Sequence, residues 1–232
     1  MKLKVCMTNP FTAPAAEDCT LVVFKNGEAV VTPDYEELFL ASCRKYAQKY
    51  HVYLATCLFE SEGFLCMALL SPEGEILGIQ RATHLNLDYL QQYQAYDKLE
   101  PITTPIGKIF LSVDVDILRP EILRIAIFEG CDFIISSQMF PLQEFNEERI
   151  FFGARSAAVT NRIPVIHVTP YSAALAVPPE LTSDNSGFLC YPTAKAAVAE
   201  FDWEHASLSR KVLVDSLKSS TCFGRYRSIL EK

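Results

Sequence analysis

No stretch of this sequence approaches the roughly 18 consecutive apolar residues that a membrane helix needs. The most apolar pieces are strand-length and broken by Asp, Glu or Arg, and Met1 to Cys6 has no apolar core of the signal-peptide kind. No membrane partner is expected. A basic excess is missing too: 21 Lys and Arg face 28 Asp and Glu, for a net charge of −7. Without a basic stripe or an Arg-rich arm to neutralise phosphates, nucleic acid is excluded as a partner. The eight cysteines (Cys6, Cys19, Cys43, Cys57, Cys66, Cys131, Cys190, Cys222) never form C-x-x-C. Most sit inside apolar runs, where a free thiol behaves as a small hydrophobe, so the expected compartment is the reducing cytoplasm.

His51, His84, His167 and His205 are far apart, and no Cys/His cluster has a zinc spacing, so no metal is expected. Neither a G-x-S-x-G elbow nor a Gly-rich phosphate loop occurs, and no cofactor is called for. Repeats, low-complexity tracts and linkers are also missing, which leaves residues 1–232 as one expected domain.

What is present is a chain of 232 residues, half of them hydrophobic, enough to build a large core. Leu21-Val22-Val23-Phe24 reads as a buried strand. Thr32-Pro33-Asp34 supplies a cap, a first-turn proline and an early acid, followed by Tyr35, Leu38, Phe39, Ser42, Tyr46 and Tyr50 at helical spacing. Val52 to Leu58, Phe64 to Leu70 and Ile76 to Gln80 read as antiparallel strands, with turns at 60–63 and 71–74. Further strands are expected over Gly107 to Val115, Phe133 to Ser137 and Val165 to Thr169. Helices are expected over Pro120 to Phe128, Glu147 to Asn161 and His205 to about Leu217. Gly187 to Tyr191 and Ala196 to Trp203 look like a hairpin. Such mixing predicts an α/β fold with helix layers outside stacked sheets.

One local feature draws chemical attention. The apolar strand from Ile109 ends in Asp114-Val115-Asp116, a spacing that puts both carboxylates on one strand face and could serve Mg²⁺. Leu118 stands where such a site needs a hydroxyl, so the structural alternative is preferred: one acid caps the helix begun by Pro120 and the other pairs with an arginine.

Five longer runs belong together. Ser71 to Leu85, Thr104 to Ile109, Asp116 to Arg124, Glu129 to Ile135 and Arg155 to Asn161 resemble, in order and spacing, the nitrilase or carbon-nitrogen hydrolase superfamily, whose patterns read "PDG..LG.YRK.HL", "T..GKIG", "ICYD..FPE..R", "GAD.I" and "R.RA.EN". A looser match runs from Phe201 to Tyr226. The resemblance implies a four-layer α-β-β-α sandwich, a Cys-Glu-Lys triad acting on amides or nitriles, and assembly into dimers or larger forms. The stretch between the first two family strands is shortened here, only about fifteen residues separating Val5 from Leu21.

Carried over residue by residue, the motifs place Asp114 at the nucleophile position, Ala82 at the lysine position and Asn26 at the glutamate position. Thr160 stands where the family has the acid of "EN". A thiolate, its base and an oxyanion-stabilising cation act as a unit, and breaking one member removes most of the rate. The resemblance therefore implies an inactive relative acting as a binding or interaction module, most simply a homodimer. The competing reading is a hydrolase with an altered, non-cysteine site drawn from Asp114, Arg81, Glu28, Lys25 and His84. Arg81 or Lys25 is expected to neutralise Asp114, because a buried unpaired carboxylate is costly.

Overall fold

The computed structural model describes residues 2–140, 146, 148 and 151–219. Two sheets stack face to face. The first contains β1 (Lys2–Thr8), β2 (Leu21–Phe24), β3 (Tyr53–Ala55), β4 (Phe59–Ser61), β5 (Phe64–Leu70), β6 (Ile76–Arg81) and a late strand, β13 (Ala197–Asp202). Its order is β13-β1-β2-β3-β5-β4, with β6 on the other side of β5. The second runs β12-β11-β10-β9-β8-β7, from β7 (Ile102–Thr104), β8 (Gly107–Val113), β9 (Phe133–Ser137), β10 (Val165–Val168), β11 (Ala173–Ala176) and β12 (Phe188–Thr193).

Side-chain alternation along the strands makes the layers. Leu65, Met67 and Leu69 of β5 and Ile109, Leu111 and Val113 of β8 share the core between the sheets. Their neighbours turn outward: Cys66, Ala68 and Leu70 lie under helix α1 (Pro33–Tyr50), and Phe110 lies with residues of α2 (Pro120–Phe128) and α3 (Ser156–Asn161). The result is the expected four-layer sandwich. Each fully buried Leu or Phe in these layers contributes about 1.5–3 kcal/mol.

Helix α1 starts at the foreseen Pro33, with Asp34 and Glu36 in its first turn, but Thr32 makes no side-chain cap bond. Its buried stripe is Phe39, Leu40, Cys43, Tyr46 and Ala47, whereas Tyr35 and Leu38 are exposed. Strand β8 stops at Val113, so Asp114 opens a 3-10 turn (Asp114–Leu118) instead of extending the strand. The helix foreseen from Glu147 falls partly outside the described residues; from Phe151 it begins as a π-helical turn (Phe151–Arg155) before α3.

The late hairpin is a correction. β12 and β13 lie in different sheets, β12 antiparallel to β11 and β13 antiparallel to β1. Residues 194–196 carry the chain from β12 in one sheet to β13 in the other, and β13 leads into the last described helix, α4 (Trp203–Ser219). Residues 9–20, between β1 and β2, form turns without a helix. The part of the C-terminal motif beyond Ser219 lies outside the described residues.

Gly78 in β6 shows how closely the sheet edges approach. A Cβ built there would lie 2.8 Å from Cδ1 and Cγ1 of Ile102 in β7. Gly78→Ala is expected to lower the unfolding free energy by about 1–3 kcal/mol through overpacking, measured by denaturant titration.

Candidate functional site

The site grows from the end of β8. Past Val113 the backbone turns sharply, and Asp114 takes φ +51°, a left-handed conformation that Asp tolerates better than bulkier residues. Its carboxylate is fully buried: Oδ1 accepts the Met139 N–H at 3.1 Å, and Oδ2 accepts from Asn86 Nδ2 at 3.3 Å. Burial pushes its pKa up to about 7 against the donated Met139 hydrogen bond, with the nearby Asp116 carboxylate adding to the rise. Among the described residues no ion pair reaches it.

The cations foreseen as its partners are engaged elsewhere. Arg81 pairs with Glu62 at 2.8 Å and lies over the rings of Phe64 and Tyr96. Lys25 donates from Nζ to the Ala194 carbonyl at 2.7 Å, and burial lowers its pKa. The physical reason is reach along the strands: Arg81 is drawn to aromatic faces and a surface acid, and Lys25 to a carbonyl on the inter-sheet crossing.

Asp116, two residues on, neither caps α2 nor pairs with an arginine. Its carboxylate gathers the Thr83 N–H at 2.9 Å, the Thr83 hydroxyl at 2.7 Å and the His84 N–H at 2.9 Å. His84 Nδ1 lies 3.2 Å from Oδ1. Burial raises the Asp116 pKa against these donors. The carboxylate thus fastens the segment after β6 to the turn after β8, tying one sheet to the other. The two acids face different partners, and among the described residues no group of three or more His, Cys, Asp or Glu could hold a metal.

Ala82 is wholly buried in the core between the sheets and presents only its methyl. Asn26 is a cross-link: Oδ1 accepts the Leu58 N–H at 2.9 Å and the Ser137 hydroxyl at 3.0 Å, while Nδ2 donates to the Gln138 carbonyl at 3.0 Å.

Beside these groups lies a cavity of about 800 Å³ whose described walls include Glu28, Asn86, Asp88, Arg119, Gln138 and Met139. Asn86 and Met139 are also the two residues bonded to Asp114, so Asp114 sits one layer behind the wall. Of the candidates read from sequence, only Glu28 lines the cavity; Arg81, Lys25 and His84 do not join it. Asn86 and Met139 were missed, since nothing in their local sequence marks them.

The comparisons agree with this fold. The carbon-nitrogen hydrolase family model matches residues 10–200, and the chain belongs to that family. Among solved structures, the carbon-nitrogen hydrolase from Helicobacter pylori G27 superposes with a TM-score of 0.76 at 18% identity, covering 100% of this chain and 99% of that one. Saccharomyces cerevisiae Nit3, a member of branch 10 of the nitrilase superfamily, gives 0.70 at 16% identity over 91% of this chain and 94% of its own. An amidase from Nesterenkonia sp. gives 0.70 at 12% identity over 92% and 95%. A search of curated proteins finds no sequence match.

Proposed function

We propose that this chain is a catalytically inactive carbon-nitrogen hydrolase relative that works as a binding or protein-interaction module. The observation that carries the reading is Asp114. At the position the motifs give to the nucleophile stands a buried carboxylate held by two neutral donors. A carboxylate is a weak nucleophile in place of a thiolate, the Ala82 methyl stabilises no oxyanion, and the Asn26 amide is fully used in cross-linking. The Nesterenkonia amidase, by contrast, has an active-site cysteine to which acrylamide adds.

Incubation with small aliphatic amides and nitriles is expected to release no ammonia above a heat-killed control. One observation favours the competing reading of an altered hydrolase: a carboxyl group with its pKa near 7 is poised for proton transfer at neutral pH. Ammonia release that disappears in Asp114→Ala would establish that reading and end the first.

We also propose a homodimer. Ile122 and Ala126 turn inward from α2, leaving Ile125 exposed. Leu118, Phe152 and Val159 are likewise exposed on the turns and helix that contact one another and α2, so the outer face of the second sheet keeps an apolar surface. Light scattering at micromolar concentration is expected to report twice the chain mass; a 26.0 kDa particle overturns the proposal.

A further inference from the structure

The cavity beside Asp114 favours one sign of charge. Its described walls carry two carboxylates, Glu28 and Asp88, against a single guanidinium, Arg119. Glu28 lies in the loop just past Asn26, and Asp88 in the turns after β6. Among the described residues neither carboxylate has an ion pair. Asp114, one layer behind through Asn86 and Met139, adds negative charge from the rear when it ionises. The Tyr89 phenol on the same wall feels that field. Burial first, then the Asp114, Tyr93 and Asp88 charges, push its pKa up to about 12, so it stays neutral.

Gln138 adds an observation of a different kind. The residue lines the cavity and is only 6% exposed. Its N–H donates to the Val168 carbonyl at 3.0 Å, and its own carbonyl accepts from Asn26 Nδ2 at 3.0 Å. Both backbone groups are therefore spent, and the side-chain amide is what remains to offer the cavity. Among the described residues that amide has no hydrogen-bond partner. A buried carboxamide without a partner is costly, and a ligand that pairs with it recovers that cost. The rings of Tyr89, Phe140 and Phe152 belong to the same walls. Apolar walls with a few polar groups suit a small organic molecule, and aromatic faces attract cations.

We infer that this cavity binds a primary ammonium carried on an apolar body, an arylalkylamine in chemical class. Glu28 and Asp88 supply the counter-charge, the Gln138 carboxamide oxygen accepts an N–H, and the aromatic walls pack on the body. The inference rests on the reading of the chain as a binding module and names what the module takes. An ammonium group brings three N–H donors and the sign of charge that the walls lack. A neutral amide also pairs with Gln138 but leaves both carboxylates uncompensated. A carboxylate ligand meets like charge.

The test is isothermal titration calorimetry on the full chain at neutral pH with phenethylamine, phenylacetamide and phenylacetate, which share a ring and differ in the charge of the tail. The amine is expected to bind about tenfold tighter than the amide, and the carboxylate to give no heat of binding. Glu28→Gln and Asp88→Asn change exposed side chains that the fold does not use, and each should weaken the amine about threefold. Added sodium chloride should weaken it as well. Gln138→Leu, with its unfolding midpoint measured alongside, should weaken amine and amide together. Equal affinity for amine and amide, binding of the carboxylate in preference to the amine, no binding of the amine at millimolar concentration, or an amine affinity unmoved by both charge variants overturns the inference. Those outcomes leave the inactive reading standing, because it is decided separately by ammonia release from phenylacetamide.

Discussion

Replacing Asn26 with leucine is expected to lower the unfolding free energy by about 3–5 kcal/mol. The side chain is buried and uses both of its ends. Leucine leaves the Leu58 N–H, the Ser137 hydroxyl and the Gln138 carbonyl without the partners that Asn26 supplies. Each orphaned buried group costs about 1–3 kcal/mol, and the bulkier branched side chain does nothing to relieve them. Asn26→Asp separates two explanations, because it keeps the acceptor for Leu58 and Ser137 but faces the Gln138 carbonyl with an oxygen. It is expected to cost less than leucine at low pH and more at neutral pH, read from urea midpoints at both. Equal losses at the two pH values overturn the hydrogen-bond account.

The second large effect has the opposite sign. Asp114 has a pKa of about 7 when folded, against a usual carboxyl value near 3.8. Folding therefore takes up a proton between those values, so the stability tied to the neutral form is fully present below the unfolded value and is lost as the pH rises through about 7. At pH 8 the folded protein keeps a charge in a place that disfavours it. Asp114→Asn removes that charge and retains an acceptor for the Met139 N–H. The variant is expected to gain stability over the parent from near zero at pH 4 to about 3–4 kcal/mol at pH 8.

His167, buried and held near pKa 4 by desolvation, works the other way: its contribution is complete above about 6.5 and is lost as the pH falls toward 4. The two trends oppose each other between pH 4 and 6.5. In the parent the Asp114 loss, which runs from the unfolded value up to about 7, offsets the His167 rise across that window, while the variant keeps the rise. His167 is present in both proteins and drops out of the difference, whereas the repulsion between Asp116 and Asp114 is relieved in the variant and is part of its gain. A pH-independent difference in unfolding free energy sinks the argument.

Where a side-chain pattern repeats within one element, the sequence was readable. Phe64–Leu70 and Pro120–Phe128 have the bounds their patterns suggest. Alternation records which side of a strand is buried but not which sheet the strand joins, and so β12 and β13, adjacent in sequence, were mistaken for a hairpin. The same limit governs the site. Motif order located Asp114 at the end of β8. Its actual donors, Asn86 and Met139, come from segments well before and after it, and only the stacking of the two sheets brings them together. Arg81 was misassigned because sequence does not reveal that β6 delivers it beside Glu62, Phe64 and Tyr96.

The pairing of β1 with β13 reaches beyond static architecture. Lys2 registers with Asp202, so β1 receives one of its two neighbours only after all the other described strands have left the ribosome. Until that moment β1 is held only by β2, and its other edge offers free N–H and C=O groups to any extended chain nearby. Folding during synthesis cannot finish this sheet from the front, and closure waits on a contact of very long sequence separation. A chain truncated before β13 is therefore expected to appear in inclusion bodies, while supplying residues 197–219 in trans offers that open edge its missing strand.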